Sequence, residues 1–480
     1  MRAQSFEEFR KQAQNDFLAL RQQSKENYSN LRQQANAEYS NRMRNSWKEL
    51  MGLPAEPVPE EKQVPPVVVP EERPIPQHED TEPAIVPMEI PEPTPITPSP
   101  SPEPIEPIVP SPEPTNRDVC INFYGTLAKI RIPLSGFPSL KGISEDDVAD
   151  MWDILMDEKY DAMLYDCIEW RDEHDLPDWD YVSFTKQLSD LLCSRDNDKI
   201  VLQLYILAQT GYDVIPARDE NDKLHILART NYNLFDFNCW DINGYRYYLT
   251  TKEDIHKLHI YDGHFENSNP ARMNIQSYPE LSFAPSNIRT LTSKRYPQLS
   301  VTFSSNLNVV KQLDEYPILY IEGNPRSRWV FYANTPMDAK TRDILYPQLR
   351  TAITGKPEQE AVEMLLNFVQ TAFDYEYDDV IWGEDRAFYS QESLYYPYCD
   401  CEDRSILLSR LVRDLLGLDV VLVHYPGHLA TAIKFNSTVA GDAFIVDGER
   451  YVVCDPTFIN AYVGETMTGM NNNEAVIVRL

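Results

Sequence analysis

Residues 398–405 read Tyr398-Cys399-Asp400-Cys401-Glu402-Asp403-Arg404-Ser405, and the run that follows decides how the C-terminal part of the chain folds. From Glu402 onward Ile406, Leu407, Leu411, Val412, Leu415 and Leu416 recur at helical spacing, and Gly417 marks a stop. Cys401 therefore stands at the start of a helix. Asp400 is placed to act as its N-cap, and Glu402 and Asp403 put carboxylates into the first turn, where they complement the helix dipole. The free N–H groups of such a turn lower the pKa of a thiol and are placed to help hold an oxyanion. Cys399 falls outside the helix, in an aromatic approach with Tyr395, Tyr396 and Tyr398, so Cys401 is the favoured nucleophile of the two.

Beyond Gly417 the pattern changes to buried strands, expected at Asp419 to His424, His428 to Phe435, Ala443 to Val446 and Tyr451 to Cys454. His428, within Pro426-Gly427-His428-Leu429-Ala430, opens one strand, and Asp455, within Cys454-Asp455-Pro456-Thr457, follows the end of another. Adjacent antiparallel strands would bring the two within hydrogen-bonding distance while the helix presents its N-terminus at the sheet edge. A thiol attacks a carbonyl as thiolate, so it needs a base, and the base needs a third group to fix its tautomer. The expected catalytic set is Cys401 as nucleophile, His428 as base and Asp455 as the orienting group.

This arrangement resembles the transglutaminase-like superfamily of papain-type cysteine enzymes. The family's Cys-x-Asp-x-small pattern at a helix start matches Cys401, Asp403 and Ser405; its strand-borne His matches His428; its Asp-Pro-Thr matches Asp455, Pro456 and Thr457. The likeness extends upstream through Glu358 to Phe373 and Tyr375 to Leu394, covering roughly residues 345–470, and departs where Leu429-Ala430 replace an aromatic residue usual just after the His. It implies a bacterial cysteine hydrolase or acyltransferase acting on amide bonds of a protein or peptide through a thioacyl intermediate, with hydrolysis favoured and no metal or organic cofactor. Two other readings stand beside it. One is a non-catalytic pseudo-enzyme serving as a binding or structural protein of the cell envelope. The other is a zinc site made from Cys399, Cys401, Cys454 and His424 or His428, which the single residue between Cys399 and Cys401 fits poorly. Cys120, Cys167, Cys193, Cys239 and Cys454 read as inert buried thiols.

The chain has 480 residues, 42% of them apolar, which is room for two or three folded domains. Seven cysteines without framework spacing do not suggest disulfide stapling. The net charge of −31 divides into +3 over residues 1–51, −11 over 52–116 and −23 over the rest, an acidic body that argues against nucleic-acid binding. No apolar run approaches the length of a transmembrane span. Arg2-Ala3-Gln4-Ser5 resembles the neighbourhood of a signal-peptide cleavage site, and with the acidic Pro-rich run it leans the reading toward an exported, periplasmic or cell-surface protein.

Four eleven-residue units fill residues 5–48, aligning Phe6, Phe17, Tyr28 and Tyr39 at one position and Phe9, Leu20 and Leu31 at another. Eleven residues in three turns predict a long amphipathic helix with a slight right-handed supercoil, and hence a homo-oligomeric coiled coil. The competing expectation is a single helix lying on the protein's own body or on a membrane surface. Pro54 to Asn116 holds 21 of the 37 prolines and reads as an extended, disordered spacer, with a full reach of about 190 Å at polyproline II rise.

The fold class expected is α+β, in five parts: an amphipathic helix at 1–51, an acidic Pro-rich linker at 52–116, an α+β domain at 117–260, a connecting β-containing region at 261–344 and the catalytic domain at 345–480. The 117–260 domain echoes the catalytic one. Gly211-Tyr212-Asp213-Val214-Ile215 parallels Gly417-Leu418-Asp419-Val420-Val421, and Asn243-Gly244-Tyr245-Arg246-Tyr247 parallels Asp447-Gly448-Glu449-Arg450-Tyr451. Cys193 and His225 fall near the places of Cys401 and His428, while Thr251 falls where Asp455 would be, so a degenerate, non-catalytic repeat is expected. In the connecting region strands are expected at Leu299–Phe303, Ile318–Ile321 and Trp329–Tyr332.

Overall fold

The computed structural model describes residues 30–59, 63–69, 79–86, 116–265 and 267–480. The fold is α+β, organised on two mainly antiparallel sheets. In the C-terminal sheet the strands run Asp80–Thr81, Ala443–Val446, Glu449–Cys454, His428–Lys434, Val420–Tyr425, Val476–Arg479, Ala84–Ile85. In the N-terminal sheet they run Cys239–Ile242, Tyr245–Leu249, Leu224–Arg229, Val214–Arg218, Lys257–Ile260, Lys48–Met51. With the strands before residue 116 set aside, both sheets share one order. Each half starts from a helix, Asp196–Gln209 or Cys401–Leu416, lying on the first two strands that follow it.

The sequence explains the match locally. Gly211 and Gly417 both sit at positive φ, +105° and +67°, where a helix must turn directly into a strand. Asn243-Gly244 and Asp447-Gly448 are left-handed pairs that close the next hairpin, the two-residue turn whose twist suits flanking strands. The Cys401 helix is almost wholly buried, from Cys401 through Ser409 and again at Leu411 and Val412. It lies between the sheet on one side and the helices Glu358–Thr371 and Arg328–Asn334 on the other. One apolar cluster runs from Tyr39 and Trp152 through Trp329 to Cys401, Ile406 and Leu429, so the two halves share a core.

Three expectations need correction. Trp329–Tyr332 is not a strand but part of the helix Arg328–Asn334, in which Trp329, Val330, Phe331 and Tyr332 are all buried. A short apolar run enclosed on all sides carries no periodicity, so its sequence cannot separate buried strand from buried helix. The other two connecting strands lie within the expected spans, at Ser300–Phe303 and Leu319–Tyr320.

The N-terminal helix occupies residues 30–43 of the described chain and ends before Lys48–Met51, which is an edge strand paired with Lys257–Ile260 and not the helix's last turn. This described part lies on the protein's own body. Tyr39 meets Trp152 at 4.7 Å and Tyr261 at 5.3 Å between ring centroids, Trp152 Nε1 donates to Asn36 Oδ1 at 2.9 Å, and Arg44 pairs with Asp150 and Asp153. The first two repeats and the first three residues of the third lie outside the described residues.

The Pro-rich segment is also more than a spacer. Its described pieces pair with the body: Leu53 bridges Cys239, Val68 bridges Ile459, Asp80–Thr81 joins one edge of the C-terminal sheet and Ala84–Ile85 the other. Prolines remove donors from the segment, but the residues between them keep theirs, and the pairing falls on such positions: Leu53, Val68, Asp80, Thr81, Ala84 and Ile85.

Candidate active site

Asp400 has extended backbone and caps the Cys401 helix, its side chain accepting from the N–H groups of Glu402 at 3.1 Å and Asp403 at 3.3 Å. Asp403 reaches back to the Asp400 N–H at 3.2 Å, which completes a capping box, and its other oxygen accepts from the Phe388 N–H at 2.6 Å. Asp400 and Asp403, on either side of the cysteine, therefore build the helix start, while the Glu402 carboxylate accepts from Trp329 Nε1 at 3.0 Å.

The helix meets the His428 strand at one peptide. Ser405, one turn along the helix from Cys401, donates to the Leu429 carbonyl at 2.8 Å, and the N–H of Leu429 is on the side that favours the Cys401 thiolate. Residues four apart share a helix face, which is the physical reason for a small hydroxyl residue at that distance from the cysteine. The paired strand has ended at this level, since Cys454 faces Thr431, so the Leu429 peptide is free to receive the helix.

His428 is the residue before Leu429, and its Nε2 lies 2.8 Å from Asp455 Oδ2, with both side chains excluded from solvent. The second ring nitrogen, Nδ1, makes no hydrogen bond among the described residues. Asp455 is held by its own turn: Oδ1 accepts from the N–H groups of Thr457 at 2.8 Å and Phe458 at 3.2 Å, an Asx turn that Pro456 stiffens. The structure thus joins His428 to Asp455 directly and sets Cys401 against the neighbour of His428, with no Cys401–His428 hydrogen bond in this resting geometry.

Behind these three residues lies a buried polar layer that sequence reasoning missed. Gln370 Nε2 donates to the carbonyls of Asp455 at 3.1 Å, Phe458 at 2.8 Å and Ala461 at 3.2 Å, pinning the loop after the Asp455 strand. Arg404, 1% exposed, donates to the carbonyls of Gln370 and Phe373, both at 3.1 Å. A signal was present: Asn367 and Gln370 interrupt the apolar face of a buried helix, where polar side chains survive only with partners.

Burial pushes the Cys401 thiol well above its ordinary pKa, and the charges of Asp400 and Glu402 push it further; the Leu429 N–H works in the opposite direction. Burial also raises Asp400 to about 6, against the lowering effect of Gln63 and of the helix N–H groups. Among the described residues, the cluster able to offer three ligand atoms to a cation is Asp378, Asp385 and Glu402, and Arg328 already lies 2.8 Å from Asp385 and 3.8 Å from Glu402. Cys399, Cys401, Cys454, His424 and His428 form no such group. His424 instead packs at a tilt against Trp329, with ring centroids 5.1 Å apart, and its Nδ1 accepts from Arg326 at 3.1 Å.

The corresponding residues of the N-terminal half are not arranged this way. Cys193 ends the helix Asp178–Leu192 and does not start the next one, His225 bonds Asp219 at 3.2 Å, and Thr251 bonds Glu253 at 2.9 Å. No protein-family model matches the chain, and no curated protein matches its sequence.

Proposed function

We propose that the chain is a transglutaminase-like cysteine enzyme that cleaves or transfers amide bonds of proteins or peptides. The supporting observation is the solvent-excluded His428–Asp455 pair at 2.8 Å, with the thiol-bearing helix bonded through Ser405 to the adjacent Leu429 peptide. In this reading Nε2–H of His428 points at Asp455, which leaves Nδ1 as the basic nitrogen for the Cys401 proton. The thiolate attacks the amide carbonyl, His428 returns the proton to the leaving amine, and water or a second amine resolves the thioester. N–H groups at the helix start stabilise the tetrahedral oxyanion.

A second reading, a non-catalytic binding protein, is favoured by the buried, proton-holding thiol and the unbonded Nδ1. Alkylation of the seven cysteines by iodoacetamide, followed by peptide mapping, separates the two. The enzyme requires Cys401 to react in preference to Cys399, and His428→Ala to slow it at pH 7 by about 1,000-fold or more, within the usual worth of a general base. Indifference of Cys401 to His428→Ala in a folded chain supports the binding protein instead.

A further inference from the structure

The Pro-rich segment crosses the candidate site. Gln63 Nε2 donates to Asp400 Oδ2, on the residue before Cys401. The Val64 N–H donates at 3.0 Å to the Gly427 carbonyl, on the residue before His428. Farther along, Val69 N–H donates to the Ile459 carbonyl at 3.0 Å, Ile459 N–H to the Val67 carbonyl at 2.7 Å, and Asn460 Nδ2 to the Val69 carbonyl at 3.3 Å, all on the turn after Asp455. One short extended stretch thus visits all three segments that carry the candidate catalytic groups.

Its contacts have the form of peptide recognition. Backbone bonds hold the strand, and alternate side chains enter a surface: Val67 and Val69 pack on Phe458, Ala461 and Met467, while Val68 between them is 67% exposed. Pro65 and Pro66, which lack N–H groups, fall between the bonded Val64 and Val67 and leave no donor unmet there. Upstream, the Pro59 carbonyl accepts from Arg328 at 3.2 Å and the Glu56 carbonyl from Asp236 N–H at 2.8 Å, so the run is anchored before it reaches the site. The Gln63 Oε1 atom is buried without a hydrogen bond among the described residues, so this carboxamide sits at Asp400 with its carbonyl unsatisfied.

From this we infer that the surface over Asp400, Gly427 and Phe458–Asn460 is the peptide-binding groove of the enzyme, and that residues 63–69 fill it as an internal pseudosubstrate. The inference rests on the proposed function and adds the ligand class: an extended, uncharged, proline-containing peptide with valine-sized side chains at alternate positions. The groove is filled in cis, so such a peptide competes with the strap for entry.

The test uses the full chain and a variant with residues 63–69 replaced by Gly and Ser, read by the rate of Cys401 alkylation with iodoacetamide. A strap closed nine-tenths of the time or more predicts acceleration of about tenfold or more on replacement. The capped synthetic peptide Gln-Val-Pro-Pro-Val-Val-Val should then restore protection, whereas a version with Glu at the last and third-last positions should not. Val64→Pro, which removes one donor and leaves the rest of the chain intact, should show a smaller acceleration and serves should the longer replacement fail to fold. Equal rates in native and strap-replaced chains overturn the inference, as does a peptide that gives no protection. His428→Ala in the strap-replaced chain keeps the two claims apart. Equal strap rates that still fall with His428→Ala leave the enzyme and discard the strap; acceleration that ignores His428→Ala leaves the groove and discards the enzyme.

Discussion

Replacing Asp455 by Asn keeps the shape of the site and removes its charge. The Asn carbonyl can still accept from Thr457 and Phe458, as Oδ1 does now at 2.8 and 3.2 Å, so the turn is retained. Its amide then faces His428 Nε2, which must become the acceptor, and the ring proton moves to Nδ1, the atom that the proposed mechanism uses as base. On that mechanism the loss has two parts. The wrong tautomer cannot take the thiol proton, and the imidazolium formed during the reaction loses a carboxylate whose oxygen lies 2.8 Å away. Charge centres about 4 Å apart interact by about 4 kcal/mol at an effective dielectric constant near 20, which is about a thousandfold in rate. The assay is the ratio of Cys401 alkylation rates in the native and Asp455→Asn chains between pH 5 and 9. Both chains carry the same strap, so coverage of the site cancels. The ratio should be about 1,000 near neutrality and shrink at alkaline pH, where hydroxide ionises the thiol without help from His428. A ratio within twofold across the range, in a chain that unfolds at the native urea concentration, refutes the assignment of Asp455.

Other outcomes follow from packing and burial. Tyr39→Ala should cost about 3–5 kcal/mol in urea unfolding, whereas Tyr39→Phe should cost nothing, because the buried Tyr39 hydroxyl has no hydrogen-bond partner among the described residues. Equal losses for the two changes would show that the hydroxyl contributes. Gly441→Ala places a Cβ 2.3 Å from the Gly464 backbone at φ +119°, so the C-terminal sheet should lose about 3 kcal/mol or more, measurable as a lowered unfolding temperature. Asp400, Glu392 and Asp378 are pushed up by burial to about 6, 7 and 9, from ordinary values of 3.8, 4.5 and 3.8. Folding therefore takes up protons at these sites; their contribution is full below about pH 4 and fades as pH rises through each folded value. The urea midpoint should fall between pH 5 and pH 8, and a rising midpoint contradicts this.

The C-terminal fold was legible because each boundary carried a local cause. Asp400 caps, Gly417 stops, Asp447-Gly448 turns, and the runs between them alternate helix and strand periods without conflict. The same devices at Gly211 and Asn243-Gly244 made the echo in residues 117–260 readable, and the two sheets do share a strand order. The arginine and glutamine layer behind Asp455 was harder, since Arg404 and Gln370 act on backbone carbonyls brought together by the tertiary fold alone. Least legible was the Pro-rich segment. Its composition forbids a core of its own, but composition does not record that Val64, Val67 and Val69 find donors and acceptors on another part of the chain.

The strap and the state of the thiol bear on each other through Asp400. Gln63 donates to the Asp400 carboxylate and so favours its charged form, while charge on Asp400 is among the causes that hold the Cys401 proton in place. Burial is the largest cause of the raised thiol pKa. On the proposed reading, displacement of the strap acts on both. Water reaches the thiol, and Asp400, without the Gln63 donor, takes up a proton more readily and presents less negative charge to Cys401. Glu402 and Asp455 also raise the thiol pKa and keep their places, so the shift is partial. The expected outcome is an alkylation profile for the strap-replaced chain displaced toward lower pH, and not merely scaled upward as a change in access would give. Gln63→Glu tests the link without removing the strap, since a carboxylate beside Asp400 repels it and should open the site as well. Profiles of identical shape in native and strap-replaced chains would show that the segment covers the nucleophile without influencing its ionisation.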